Sequence, residues 1–126
     1  MTNASSHPLG QPDAAGVLTR AVLAAATRLE VRNRALAPVL GASEASISRL
    51  SRGRSIDPAS KEGELALLFL RLYRSLDALV GGDDAKASAW LHAHNDHLSG
   101  VPAERIRGVE GLVHVVQYLD ALRGRL

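Results

Sequence analysis

Between Ser43 and Arg54 the sequence SEASISRLSRGR sets serine hydroxyls at Ser43, Ser46 and Ser48 beside guanidinium groups at Arg49, Arg52 and Arg54. Hydroxyls and guanidinium forks hold phosphate oxygens, and an arginine reads a guanine edge through two parallel hydrogen bonds. These serines lack a neighbouring histidine to make a nucleophile. The chemistry on offer is therefore recognition of a polyanion. On an exposed helix face, Ser46 and Arg49 are placed for base edges, and Ser43, Ser48, Arg52 and Arg54 for phosphates. Arg32 and Arg34, just upstream, are placed for the flanking backbone.

Two short helices must position this set, over residues 32–40 and 43–51. Leu36, Val39 and Leu40 give the first one apolar face. Gly41 stands where that helix must end, a position that favours positive φ. Ser43 is placed to cap the second helix, and Glu44 puts a negative charge in its first turn. Ile47 and Leu50 turn inward at helical spacing. A plain helical hairpin with a solvated charged face would share some of these features. Gly41, Ser43, Ile47, Leu50 and Arg52-Gly53-Arg54 in that order instead match a DNA-binding helix-turn-helix.

Charge distribution agrees. From Arg20 to Lys61 eight basic residues face three acidic ones, a net of +5 within a chain of net +2, so the remainder carries −3. Phosphate contacts need such a basic half. At 126 residues the chain is one domain or two small ones. Its apolar content of 46% supports a core, and only 3% is aromatic, so leucine, alanine and valine favour helices over sheets. The expected fold class is all-α. Without cysteine there is no disulfide and no thiolate site. No signal peptide and no apolar run of membrane-spanning length is read, so the expected location is cytoplasmic, without a membrane partner.

Residues 1–13, rich in Ser, Pro, Gly and Asn, are expected to be a disordered tail. A first helix is expected over residues 14–29, with Val17, Leu18, Ala21, Val22, Ala25 and Leu29 as its stripe. After Ser55-Ile56-Asp57-Pro58 a long helix is expected over residues 59–80. It carries two stripes: Leu65, Leu68, Phe69, Leu72, Leu76 and Leu79 on one side, and Leu67, Leu70 and Tyr73 on another. A surface helix needs one. The second implies a further layer, either a second copy in a homodimer or the chain's own C-terminal half. Asp83 and Asp84 start a helix reaching His94, with Trp90 as a core anchor. A turn over 95–100, a short helix from Val101-Pro102 to Ile106 and a last helix over 109–122 follow, the last burying Leu112, Val115, Val116 and Leu119. His92, His94 and His97 invite a metal, but positions 92 and 94 point nearly opposite ways on a helix, so no metal site is expected. No cofactor and no catalytic set is expected.

The order Trp90-Leu91, Asn95, Leu98-Ser99-Gly100, Pro102, Gly111-Leu112, Tyr118-Leu119-Asp120 and Arg123-Gly124 resembles the C-terminal toxin-binding domain of the Xre/MbcA/ParS antitoxins. In that family the module follows an Xre-like helix-turn-helix. The resemblance implies three segments: the tail at 1–13, the helix-turn-helix at 14–61, and a toxin-binding and dimerisation domain at 62–126. It implies an antitoxin of a type II toxin–antitoxin system that binds a RES-domain toxin, blocks its NAD pocket and represses the shared operon. Trp90, Asn95, Gly100, Pro102 and Gly111 match the module's framework, with Trp90 and Asn95 carried over as toxin-binding. Arg123, Gly124, Arg125 and Leu126 match the blocking end; its arginines and a terminal carboxylate offer both signs of charge. The implied partners are the toxin and operator DNA, with a homodimer inside a toxin–antitoxin hetero-oligomer. Two other readings compete: a plain helix-turn-helix regulator whose C-terminal half only dimerises or senses a ligand, and an adaptor that has lost DNA binding.

Overall fold

A computed structural model of the chain describes residues 13–124. These form α-helices and short 3₁₀ turns without a strand; one antiparallel bridge joins Asn95 to Gly100. The all-α class expected from composition is what the chain adopts. Residues 1–12 of the expected tail lie outside the described residues.

Helix α1 (Ala14–Arg28) buries Leu18, Val22, Ala25 and, just beyond its end, Leu29. Val17, expected in this stripe, is 46% exposed, because the buried positions step four, three and four residues from Leu18 and leave it on the flank. Helix α2 (Asn33–Leu40) buries Leu36, Val39 and Leu40 and stops at Gly41, whose φ is 67°. The Ala42 N–H then closes the end onto the Ala37 carbonyl at 2.9 Å. Helix α3 (Glu44–Ser48) is shorter than expected: the chain tightens into a 3₁₀ turn over Arg49–Arg52. Gly53, at φ 113°, lets the Arg54 N–H close back onto the Arg49 carbonyl at 3.0 Å, ending the helix there. Ile47 and Leu50 are buried, as their spacing requires.

The loop that follows is pinned to α1: Ile56 is fully buried, and its N–H donates to Thr19 Oγ1 at 2.8 Å. Helix α4 (Lys61–Leu79) starts two residues later than expected because Ser60 caps it, its hydroxyl accepting from the Gly63 N–H at 3.0 Å. It is the spine of the molecule, packed on by α1, α2 and α7. The chain covers the second stripe only in part. Leu70 is buried and Tyr73 half-buried, its hydroxyl accepting from Arg28, while Leu67 is 53% exposed.

Helix α5 (Asp84–His92) is capped by Asp83, which accepts from the Lys86 N–H. It ends two residues early: the His92 ring turns back to the Leu29 carbonyl, 2.9 Å away, and Ala93 is extended. A 3₁₀ turn (Asp96–Leu98) and short α6 (Pro102–Arg105) lead into α7 (Val109–Arg123). Helix α7 lies along α4 and buries Leu112, Val115, Val116 and Leu119. One hydrophobic core runs from Leu18 to Leu119 and includes side chains from both halves. Among the described residues no helix is long and apolar enough to cross a membrane.

Candidate functional site

The recognition segment divides into residues that build it and residues it presents. Ser43 is a builder: its Oγ accepts from the Ser46 N–H at 3.1 Å, satisfying one of the donors a helix start leaves open. Ser46 and Ser48 are half-buried, whereas Arg49 and Arg52 are exposed. Arg52 donates to Ser48 Oγ at 3.5 Å, which leans its guanidinium along the face. Arg49 has no hydrogen-bond or ion-pair partner among the described residues, so its five donors are available.

Arg54, expected at a phosphate, is turned into the fold. Its Nη1 and Nη2 donate to the two Glu62 oxygens at 2.9 and 2.8 Å, and its Nε donates to the Ser46 carbonyl at 2.9 Å. This half-buried fork bolts the recognition segment to the first turn of α4, and the bond to Glu62 holds its pKa above the ordinary arginine value. Most of its donors are thus consumed internally, which argues against the expected phosphate role. The eight-residue spacing to Glu62 across a loop gave no periodic signal.

A second constellation lies where α7 ends. Ser75, fully buried on α4, donates to Asp120 Oδ1 at 2.7 Å and accepts from Arg123 Nη1 at 3.2 Å. Arg71 pairs with the other oxygen of Asp120. Arg123 and Gly124 are exposed beside a groove of about 730 Å³ that Leu67, Leu70, Arg71, Arg74 and Asp120 also line. Arg125 and Leu126 lie outside the described residues. Ser75 was missed in the sequence, although a lone hydroxyl between Leu72 and Leu76 on a buried stripe was a usable signal.

Trp90 is half-buried rather than enclosed. It stacks on Tyr118 at 6.4 Å between centroids, and His97 stacks on the same tyrosine at 6.0 Å, so these rings form a half-open platform. Asn95 spends its Oδ1 on the Leu98 N–H at 3.2 Å, and its backbone pairs with Gly100 in both directions; it shapes the turn. Ser99 takes φ 56° there. The three histidines diverge: His92 bonds the Leu29 carbonyl, His94 bonds Asp96 at 3.0 Å, and His97 lies on Tyr118. Gly111 marks a close approach, since a Cβ there would stand 1.9 Å from the Arg105 carbonyl oxygen.

Comparison with known families adds two matches that together span almost the whole chain. Residues 8–71 match the antitoxin Xre-like helix-turn-helix domain, and residues 75–125 match the antitoxin Xre/MbcA/ParS C-terminal toxin-binding domain. One match ends and the next begins within α4. No curated protein matches the chain.

Proposed function

The chain belongs to the Xre/MbcA/ParS antitoxins, with a DNA-binding helix-turn-helix and a toxin-binding domain, and from that premise we propose how it acts. It neutralises a RES-domain toxin by carrying Arg123, Gly124, Arg125 and Leu126 into the toxin's NAD pocket, and it represses its own operon through α3. The observation that carries the first part is the anchoring of α7: Ser75, Asp120, Arg71 and one donor of Arg123 fix the helix end on α4, and the other Arg123 donors stay available. A segment leaving a fixed point loses less conformational freedom on docking than a frayed one, which favours a plug. The role needs no chemistry by the chain itself. The groove beside Gly124 extends the toxin-facing surface around that end.

For repression, Arg49 and Ser46 read base edges, and Arg52 and Ser48 hold phosphates. Two copies in a homodimer, within the toxin–antitoxin complex, present two such helices to two half-sites. Residues 14–61 serve as the DNA-binding unit and 62–126 as the toxin-binding and dimerisation unit, acting in the cytoplasm. Size-exclusion chromatography of the chain mixed with the product of the adjacent gene tests the pairing. Co-elution is expected; separate elution at micromolar concentration would remove the toxin from the account.

A further inference from the structure

Two grooves meet at the start of α2. The larger, about 770 Å³, is lined by Arg32, Asn33 and Arg34 together with Glu44 and Ser51 of the recognition segment. The smaller, about 420 Å³, is lined by Glu30, Arg32, Arg34, Ala35 and Arg107. Arg107 belongs to the toxin-binding half, yet the fold brings it beside the two arginines that open the helix-turn-helix. All three arginines are exposed and unpaired among the described residues. The one acid in that groove, Glu30, accepts from Ser88 Oγ at 2.7 Å. Glu44 lines the larger groove as well, so three arginines face two carboxylates and the patch carries a net positive charge.

Arg107 is also held firmly. The preceding Ile106 is buried, the Arg107 N–H donates to the Glu104 carbonyl at 3.3 Å, and the α6–α7 corner is packed so closely at Gly111 that a methyl would not fit. A cation on a rigid corner is a better phosphate contact than one on a mobile loop. Arg32 and Arg34 line both grooves, so they link Glu44 and Ser51 of the recognition segment to Arg107.

We propose that the DNA-contacting face is composite: Arg107, from the toxin-binding half, holds a flanking phosphate together with Arg32 and Arg34. This rests on the DNA-binding reading above. The occupant is the sugar–phosphate backbone, since three unpaired arginines on one groove outnumber the carboxylates beside them and match phosphates by charge.

The test compares the full chain with Arg107→Ala, Arg107→Glu and Arg52→Ala. Each binds a duplex carrying the sequence upstream of the coding region and a random duplex of equal length, from about 50 to about 200 mM salt. The expected result is an equal loss of affinity of Arg107→Ala on both duplexes and a log–log salt slope flatter by about 0.9, with Arg107→Glu flatter still. If Arg52→Ala flattens the slope and Arg107→Ala does not, the composite face is wrong while the DNA reading stands. If Arg107→Ala weakens only the toxin complex, the patch belongs to the toxin and the proposal falls. A native chain without salt-dependent duplex binding would overturn both.

Discussion

Replacing Gly111 by alanine sets two effects of opposite sign against each other. Gly111 lies in the first turn of α7, where alanine's helix propensity favours the substitution by up to about 1 kcal/mol. The new Cβ, however, would stand 1.9 Å from the Arg105 carbonyl oxygen and 2.7 Å from its carbon. An ordinary carbon–oxygen contact needs about 3.3 Å. The obstacle is backbone, so α6 and α7 must part by more than about 1 Å, and overpacking of this kind costs about 1–3 kcal/mol, occasionally more. The clash wins, and Gly111→Ala is expected to lose about 1–2 kcal/mol net, lowering Tm by roughly 4–8 °C for a chain of this size. Gly124→Ala is the control: its φ is −65° and the nearest atoms to a Cβ are 3.6 Å away, so a change within about 0.5 kcal/mol is expected. Thermal melts followed by circular dichroism measure both. A Gly111→Ala chain as stable as the native one would refute the close packing of the α6–α7 corner.

Three further substitutions probe the two candidate sites. Ser75→Ala removes a buried hydroxyl bonded to a carboxylate and a guanidinium, so urea unfolding should show a loss of about 1.5–3 kcal/mol; a loss below about 0.5 kcal/mol would mean that the anchoring of α7 is unimportant. Arg49→Ala should cost about 1–3 kcal/mol of discrimination between operator and random DNA. An equal loss on both duplexes would refute base reading by Arg49. Arg52→Ala should instead weaken both duplexes evenly and flatten the salt slope by about 0.9; a selective loss on the operator would place it on a base edge.

Features set by local backbone physics were legible in the sequence. Gly41 ends α2 with positive φ, Ser43 caps α3, Asp83 caps α5, and Leu112, Val115, Val116 and Leu119 are the buried face of α7. Each depends on neighbours within a turn or on a 3.6-residue period. What stayed hidden depends on the tertiary approach of distant segments. Arg54 looks like an exposed phosphate contact until α4 brings Glu62 against it. The second stripe of α4 reads as one face, but the fold splits it: Leu70 is buried, Tyr73 is half-buried beside Arg28 of α1, and Leu67 stays 53% exposed. Trp90 reads as a core anchor, but α7 offers it the half-exposed Tyr118 ring rather than an enclosed pocket. Arg107 carries no signal at all, because only the fold sets it beside Arg32 and Arg34.

In the function proposed above, the anchored end of α7 delivers a segment that closes the toxin's NAD pocket. The most direct measurement is NAD consumption by the adjacent gene's product, alone, with the full chain, and with a chain stopped at Leu122. Circular dichroism confirms that the shortened chain is folded. The full chain should abolish NAD loss, and the folded, shortened chain should still bind the toxin but fail to inhibit it. Full inhibition by the shortened chain, or NAD loss unaffected by the full chain, would contradict that function.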